Sequence, residues 1–226
     1  MPAKLSVSRL YPDVLDGAND NAELLIGRER RRAALPEFYT GKPKDESARD
    51  GIATHMVLQF CDFNLLIENA DREIDRLLSL GFISKKTRER VRVNEIRLFA
   101  KSALIKEILE AKRVWRELRF NTTLPAELFT EDEKRRRALM GEELFVQGVI
   151  DCLYEDQEGN IHLVDYKTDR LTKEELESDE LAAVTLTKKH SLQLGYYAKA
   201  VEKMLGKTPK TVSVYSLPLG KTVSVI

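Results

Sequence analysis

The chain has 226 residues, of which 42% are hydrophobic and 33% are charged, and this composition excludes a fibrous repeat or a wholly disordered protein. Lysine plus arginine and aspartate plus glutamate each number 37, so the chain has no general basic field that would hold nucleic acid, and any such contact must be local. The two cysteines, Cys61 and Cys152, form no CxxC metal pair, and no apolar run approaches the ~18 to 20 residues of a membrane-spanning helix. We therefore expect a soluble, cytoplasmic protein with no membrane partner.

The first 50 residues differ in composition from the rest of the chain. They contain several prolines, a turn-rich stretch over 40–50 and the basic run Arg28–Arg32. This pattern predicts an N-terminal arm or linker with short helices, followed by one folded domain over residues 51–226.

The first half of that domain is predicted to be mostly helical. From Ile52 the apolar residues recur at helical spacing, which predicts a helix over about 52–69 with Gly51 as its cap. The same spacing predicts further helices over 71–80, 85–91 and 95–111.

The second half alternates between strand and helix patterns. β-branched and aromatic residues cluster in short runs, and helical spacing returns once. The predicted elements are strands over 114–123, 144–154 and 161–167, a helix over 190–205, and two short strands within 211–226. We therefore expect a mixed α/β fold.

One predicted hairpin brings charged residues together. A hairpin centred on Glu158 sets Asp151 directly opposite Asp165, and Gly159 suits the left-handed position of a three-residue loop. Two carboxylates facing each other at ~4.5 to 5.5 Å between Cβ atoms destabilise a sheet unless a positive charge, such as a divalent cation, neutralises them. Lys167, two residues after Asp165, is predicted to lie on the same face.

This set of side chains suits phosphodiester hydrolysis. Hard oxygen ligands hold Mg²⁺ or Mn²⁺, which activates a water molecule, while Lys167 adds a fixed positive charge beside the phosphate or orients the water. The alternative is a surface hairpin on which Asp151 pairs with Lys167. The apolar neighbours Val149-Ile150 and Leu163-Val164 favour buried strands, where charged groups need partners.

Several segments resemble one nuclease family. Gly148-Val149-Ile150-Asp151, the stretch from Val164 to Asp169 (Val-Asp-Tyr-Lys-Thr-Asp), and then Gln193 and Tyr197 are similar to the motifs of the PD-(D/E)XK nuclease superfamily, in its RecB-like branch. Upstream, 51–55 (Gly-Ile-Ala-Thr-His) and 117–120 (Glu-Leu-Arg-Phe) resemble that branch's histidine helix and Glu-x-x-Phe element. Five elements occur in order, and the likeness is strongest to the C-terminal nuclease domains of AddA-type helicase-nucleases.

The resemblance implies a restriction-endonuclease-like fold, in which a central mixed β-sheet is flanked by helices. It implies that Lys167 is catalytic and that Glu117 supports the site. The implied metal ligands are His55, Asp151, Asp165 and the main-chain carbonyl of Tyr166. Considered alone, His55 is better explained as a buried histidine bonded to a carbonyl, and the resemblance is what favours a ligand role.

Gln193 and Tyr197 lie four residues apart, and therefore on one face of the last long helix. An amide and a phenol there could orient the lysine, a water molecule or a phosphate oxygen. Tyr197 could instead be a core residue, or its ring could pack while its hydroxyl reaches the site.

The resemblance also bears on cofactors and partners. Related nucleases carry an iron-sulfur cluster held by four cysteines; this chain has two cysteines, so we expect no such cluster. The predicted partners are single-stranded DNA, helicase domains of a longer parent chain, and an AddB-like subunit.

Three functions are compatible with the sequence. The first is a metal-dependent DNA exonuclease or endonuclease, working within an AddAB/RecBCD-like helicase-nuclease in double-strand break repair and recombination. The second is a non-catalytic module of the same fold that binds single strands or assembles partners. The third is a hydrolase of a small phosphate. Intact Asp151, Asp165 and Lys167 favour the first, because a non-catalytic module has no physical need for facing carboxylates.

Overall fold

The computed structural model describes residues 4–6, 46–130 and 132–225. Most of the predicted N-terminal arm, including the basic run Arg28–Arg32, lies outside these residues. The helices are α1 Glu46–Phe60, α2 Phe63–Glu68, α3 Ala70–Ser79, α4 Lys85–Arg90, α5 Val93–Ala100, α6 Ala103–Glu110, α7 Glu133–Ala138, α8 Lys173–Glu177 and α9 Asp179–Leu205, with a 3₁₀ turn at Ala126–Phe129. The strands are β1 Lys4–Ser6, β2 Arg113–Pro125, β3 Glu143–Glu155, β4 Ile161–Lys167, β5 Thr211–Ser216 and β6 Lys221–Ser224.

The chain divides into two compact units, and it crosses from one unit to the other within β2, within β3 and within α9. The first unit comprises Met1–Gly41, Arg119–Val149 and Leu192–Thr208. The second unit comprises Lys42–Leu118, Ile150–Ser191 and Pro209–Ile226. All the candidate metal ligands belong to the second unit.

The second unit combines helices with a mixed sheet. There β3 pairs antiparallel with β4, β4 pairs parallel with β5, and β5 pairs antiparallel with β6. Side chains of α1 to α3, of α5 and α6, and of β3 to β5 form one buried apolar cluster. Its largest fully buried members include Leu58, Ile74, Phe99, Tyr166 and Tyr215. The predicted mixed α/β fold with a helical first half is confirmed.

The predicted helix over about 52–69 starts too late and is divided into two helices, the second of which ends at Glu68. Helix α1 begins at Glu46, so Gly51 lies inside it rather than at its cap, and α1 ends at Phe60. The Asp62 carboxylate then accepts the main-chain N–H groups of Asn64 and Leu65, which caps a separate helix, α2. A side chain that satisfies the first free N–H groups starts a new helix, although the apolar spacing continues through the break.

A second predicted helix, over 95–111, is also divided. Ser102 accepts the N–H of Ile105 and caps α6, so the helical stripe is interrupted between Ala100 and Ala103. Helix α9 begins at Asp179, eleven residues before the predicted start at 190. In the N-terminal arm, Lys4–Ser6 forms a strand that pairs parallel with β3, an element that the sequence pattern did not indicate.

In the first unit, aromatic side chains pack around Gly148 of β3. A Cβ atom added at Gly148 would lie 2.6 Å from the Phe120 ring and 3.1 Å from the Tyr197 ring. These two rings meet edge to face, with centroids 5.6 Å apart. The glycine of this motif is therefore required for close packing of the two rings.

Among the described residues, no helix has the length and apolar character that crossing a membrane requires. Cys61 and Cys152 are buried, unbridged thiols of the second unit. Burial raises the pKa of each thiol to about 12, so in the metal-free protein both stay protonated at neutral pH.

Candidate metal centre

The β3–β4 hairpin has the predicted register. Cys152 pairs with Val164 and Glu155 pairs with Ile161, which is the pairing centred on Glu158. Within the loop, the N–H of Asp156 donates to the carbonyl of Asn160 at 3.0 Å. Gly159 has a φ of 83°, the left-handed conformation that was predicted for it.

The ladder between β3 and β4 ends just before the two central carboxylates. The next residues in the same register are Asp151 and Asp165, one on each strand. Here the Asp151 Oδ2 atom accepts the main-chain N–H of Tyr166 at 2.8 Å. In an extended strand the N–H and C=O of one residue point to the same side. The Tyr166 carbonyl is therefore directed towards the Asp151 side of β4, as a ligand role would require.

Three side chains from three elements form a group that could hold a metal ion. His55 of α1, Glu117 of β2 and Asp151 of β3 each offer one ligand atom, and these atoms lie within 4.8 Å of one another. Within this group, His55 Nδ1 lies 3.7 Å from Asp151 Oδ2. Carboxylate oxygens together with an imidazole nitrogen form a donor set that suits Mn²⁺ and accommodates Mg²⁺.

Glu117 has an unusual backbone conformation within β2. Its φ is 52°, and among the described non-glycine residues it alone has a positive φ. A glutamate in this region is held at a cost of roughly 1 to 3 kcal/mol, and such positions concentrate at functional sites. The sequence analysis gave Glu117 a supporting role, whereas the structure places its carboxylate among the candidate ligands.

Asp165 and Lys167 lie side by side on β4, as their spacing predicts. Lys167 Nζ lies 2.5 Å from Asp165 Oδ2, and the two side chains are 19% and 3% exposed. The hairpin is therefore not an exposed surface feature, and the lysine contacts Asp165 rather than pairing with Asp151 alone. Asp165 is not a member of the three-residue group, so its ligand role stays a prediction.

The pKa values reflect the crowding of these charges. The pKa of Asp151 is raised, first by burial and second by the negative charge of Asp165, although His55 and Lys167 counteract both effects. Burial acts to lower the pKa of Lys167, but the carboxylates of Asp165 and Asp151 outweigh it and raise that pKa above its ordinary value. Lys167 is therefore a cation at neutral pH.

Gln193 and Tyr197 lie on α9 in the first unit. Gln193 Nε2 donates a hydrogen bond to the Tyr197 hydroxyl at 3.0 Å, which confirms that they share a helix face. The Tyr197 ring is buried against Phe120, so its packing role is present. The catalytic role of the pair stays a prediction.

Sequence reasoning missed two arginines of the second unit. Arg116, next to Glu117, donates to the carbonyls of Leu58 and Cys61 at the end of α1. Arg92 donates to the carbonyl of Thr168, the residue after Lys167. Neither arginine belongs to a recognised motif, and their contacts reach 55 to 76 residues along the chain, so no local signal identifies them.

Asp169 is a second ion-paired carboxylate near the end of β4. His190 Nε2 lies 2.9 Å from Asp169 Oδ2, and Lys189 Nζ lies 3.4 Å from Oδ1. Burial acts to raise the pKa of Asp169, but the His190 hydrogen bond and the charges of His190 and Lys189 lower it to about 2.

Because folding depresses this pKa, Asp169 stabilises the fold above the unfolded value of ~3.9 and loses that effect as the pH falls towards 2. We expect Asp169→Asn to lower the free energy of unfolding by roughly 1 to 2 kcal/mol at pH 7, with a smaller difference at pH 3.5. Urea unfolding at both pH values measures this. Asp75→Asn is the control, since Asp75 is 64% exposed in its pair with Arg88 and should change stability little. An equal loss of unfolding free energy in the two variants at pH 7 would contradict the stabilising role of Asp169.

Comparison with known proteins agrees with the geometry of the candidate metal centre. The family model of the PD-(D/E)XK nuclease superfamily matches residues 28–223. The chain belongs to this superfamily, and its mixed sheet with flanking helices is the restriction-endonuclease-like fold that the resemblance implied.

Its relatives include several ATP-dependent helicase/nuclease subunits A. The protein of Acetivibrio thermocellus is 30% identical over 95% of this chain and 16% of its own length. The protein of Bacillus velezensis is 34% identical over 75% of this chain and 13% of its own length. That of Clostridium novyi is 31% identical over 80% of this chain and 14% of its own length. The chain therefore matches only about a seventh of each relative, and the predicted likeness to AddA-type proteins is confirmed.

Proposed function

We propose that this chain is a metal-dependent deoxyribonuclease that hydrolyses phosphodiester bonds in DNA, with residues 51–226 as the nuclease domain. The observation that carries the proposal is the group of His55, Glu117 and Asp151 beside the buried Asp165–Lys167 pair. Buried charges are costly, so such a concentration in one unit favours a site that binds a cation and a charged substrate.

The side chains have separate roles in this proposal. His55, Asp151, Asp165 and the Tyr166 carbonyl hold the metal, and Glu117 supports the site or joins them as a further ligand. A bound Mg²⁺ or Mn²⁺ would lower the pKa of a water molecule and offset negative charge on the phosphate. Lys167, held as a cation by its two carboxylate neighbours, stabilises charge on the attacked phosphate or orients the water. Gln193 and Tyr197 orient the lysine or a phosphate oxygen.

The names of the relatives support a proposal about the biological setting. Their name combines an ATP-dependent helicase with a nuclease, and this chain matches a small part of their length. We infer that the domain works with helicase domains and an AddB-like subunit, cutting single-stranded DNA during double-strand break repair and recombination.

The test is a cleavage assay with end-labelled DNA. Single-stranded and double-stranded substrates are incubated with the chain in Mg²⁺, in Mn²⁺, or in EDTA. The proposal expects cleavage of single-stranded DNA with either metal and none in EDTA. Tight DNA binding without cleavage in any metal would instead identify a non-catalytic binding module.

A further inference from the structure

Arg92 bonds both to α1, which carries His55, and to the residue that follows Lys167 at the end of β4. It precedes α5, and both its side chain and its main chain form long-range hydrogen bonds in the second unit. It belongs to none of the nuclease motifs, and no role was predicted for it from the sequence.

The side chain of Arg92 reaches the end of β4. One guanidinium nitrogen donates to the carbonyl of Thr168 at 3.1 Å, and Thr168 directly follows Lys167. The same nitrogen lies 3.3 Å from Glu95 Oε1, and both side chains are largely buried. A charged donor held by a carboxylate and aimed at a carbonyl fixes that carbonyl more firmly than a neutral donor would.

The main chain of Arg92 reaches the histidine helix. Its N–H donates to the Thr54 hydroxyl at 3.3 Å, and that hydroxyl in turn donates to the carbonyl of Asp50 at 2.9 Å. Thr54 is fully buried and directly precedes His55. One residue therefore bonds to the neighbour of Lys167 and to the neighbour of His55.

The two elements also approach each other closely at this point. A Cβ atom added at Gly51 of α1 would lie 2.7 Å from the Thr168 hydroxyl oxygen. The Gly51 backbone therefore lies close against the Thr168 side chain, so α1 and the end of β4 are packed together at this point.

We propose that Arg92 is a positioning residue of the metal centre, which fixes the end of β4 bearing Lys167 against the helix bearing His55. The inference rests on the proposed nuclease function. Catalysis by positioned groups is sensitive to displacements of about 1 Å, which can cost on the order of 100-fold in rate. Loss of the Thr168 bond should therefore lower turnover rather than DNA binding.

The test compares Arg92→Met, Arg92→Lys and the control Arg90→Met. Arg90 Nη1 lies 3.1 Å from the Asp50 carboxylate of α1, so the control removes a partly buried arginine ion pair and leaves the Thr168 bond in place. For each variant we would measure kcat and KM on single-stranded DNA, the Kd for Mn²⁺ by electron paramagnetic resonance, and stability by urea unfolding.

We expect Arg92→Met to lower kcat about 10- to 100-fold with KM changed less than about threefold. Its Kd for Mn²⁺ should rise several-fold, Arg92→Lys should recover part of both losses, and Arg90→Met should stay within twofold of the wild type. Equal kcat and Kd in folded Arg92→Met and Arg90→Met would overturn the inference. If Arg92→Met does not fold, Arg92→Lys decides, and a kcat within twofold of the wild type overturns it.

The failure of the nuclease proposal has a different signature. If the wild type neither cuts DNA nor binds Mn²⁺, the nuclease function is wrong and the inference falls with it. If the wild type binds Mn²⁺ without cutting DNA, the Kd values alone decide the role of Arg92.

Discussion

Asp165→Asn is expected to abolish metal-dependent DNA cleavage, with a fall in rate of roughly 100- to 10,000-fold. Asparagine preserves the size of the side chain but removes the negative charge. Asp165 is 3% exposed and lies 2.5 Å from Lys167 Nζ, so this substitution removes both a candidate metal ligand and the lysine's nearest counter-charge. The rate on end-labelled single-stranded DNA in Mg²⁺ is the measurement.

Asp179→Asn is the matched control for this experiment. Asp179 also pairs with a lysine, Lys221, at 2.7 Å, but both side chains of this pair are exposed. We expect this variant to cut DNA at the wild-type rate, because an exposed ion pair contributes little. Wild-type cleavage by Asp165→Asn, in protein free of contaminating nuclease, would refute the assigned site.

The second large effect concerns stability and metal binding. Asp151 is largely buried, faces Asp165, and has a raised pKa, so its ionised form opposes folding at neutral pH. Asparagine at this position relieves the repulsion and still offers an oxygen to the Tyr166 N–H. We therefore expect metal-free Asp151→Asn to have a Tm equal to or above that of the wild type.

Added metal should give the wild type a higher Tm than Asp151→Asn. An ion that binds only the folded state stabilises it by RT ln(1 + [L]/Kd), or ~2.7 kcal/mol at one hundred times Kd. Mg²⁺ or Mn²⁺ should raise the Tm of the wild type and have much less effect on Asp151→Asn. Thermal melts with and without metal measure both quantities. A destabilised variant beside a wild type indifferent to metal would instead indicate a structural salt bridge from Asp151.

The hairpin could be predicted because its determinants are local. Gly159 fixes the turn, and the apolar residues on both strands allow one register, since a shift by one residue would expose them. The positions of Asp151, Asp165 and Lys167 followed from that register alone. His55 needed the family resemblance, because a histidine beside an apolar stripe is by itself better explained by a core role.

Other features depend on contacts that no local pattern encodes. The apolar spacing of α1 and α2 continues through Cys61 and Asp62, and the helix ends there because the Asp62 side chain caps the next one. The Asp62 N–H in turn donates to Glu73, eleven residues further on. The positive φ of Glu117 and the bonds of Arg92 likewise arise only when distant elements have packed together. Propensity and periodicity describe neighbours in sequence, so they cannot predict such features.

In the proposed site, Asp151 and Asp165 bind a catalytic metal ion together with His55. The position of Mn²⁺ in crystals of the protein tests this proposal most directly. Anomalous scattering from Mn²⁺-soaked crystals locates the ion without reference to activity. We predict a peak within ~2.0 to 2.6 Å of carboxylate oxygens from Asp151 and Asp165, with His55 Nδ1 or Nε2 as a further ligand. A peak elsewhere, or Asp151 and Asp165 on opposite faces of the sheet with no peak between them, would contradict the account.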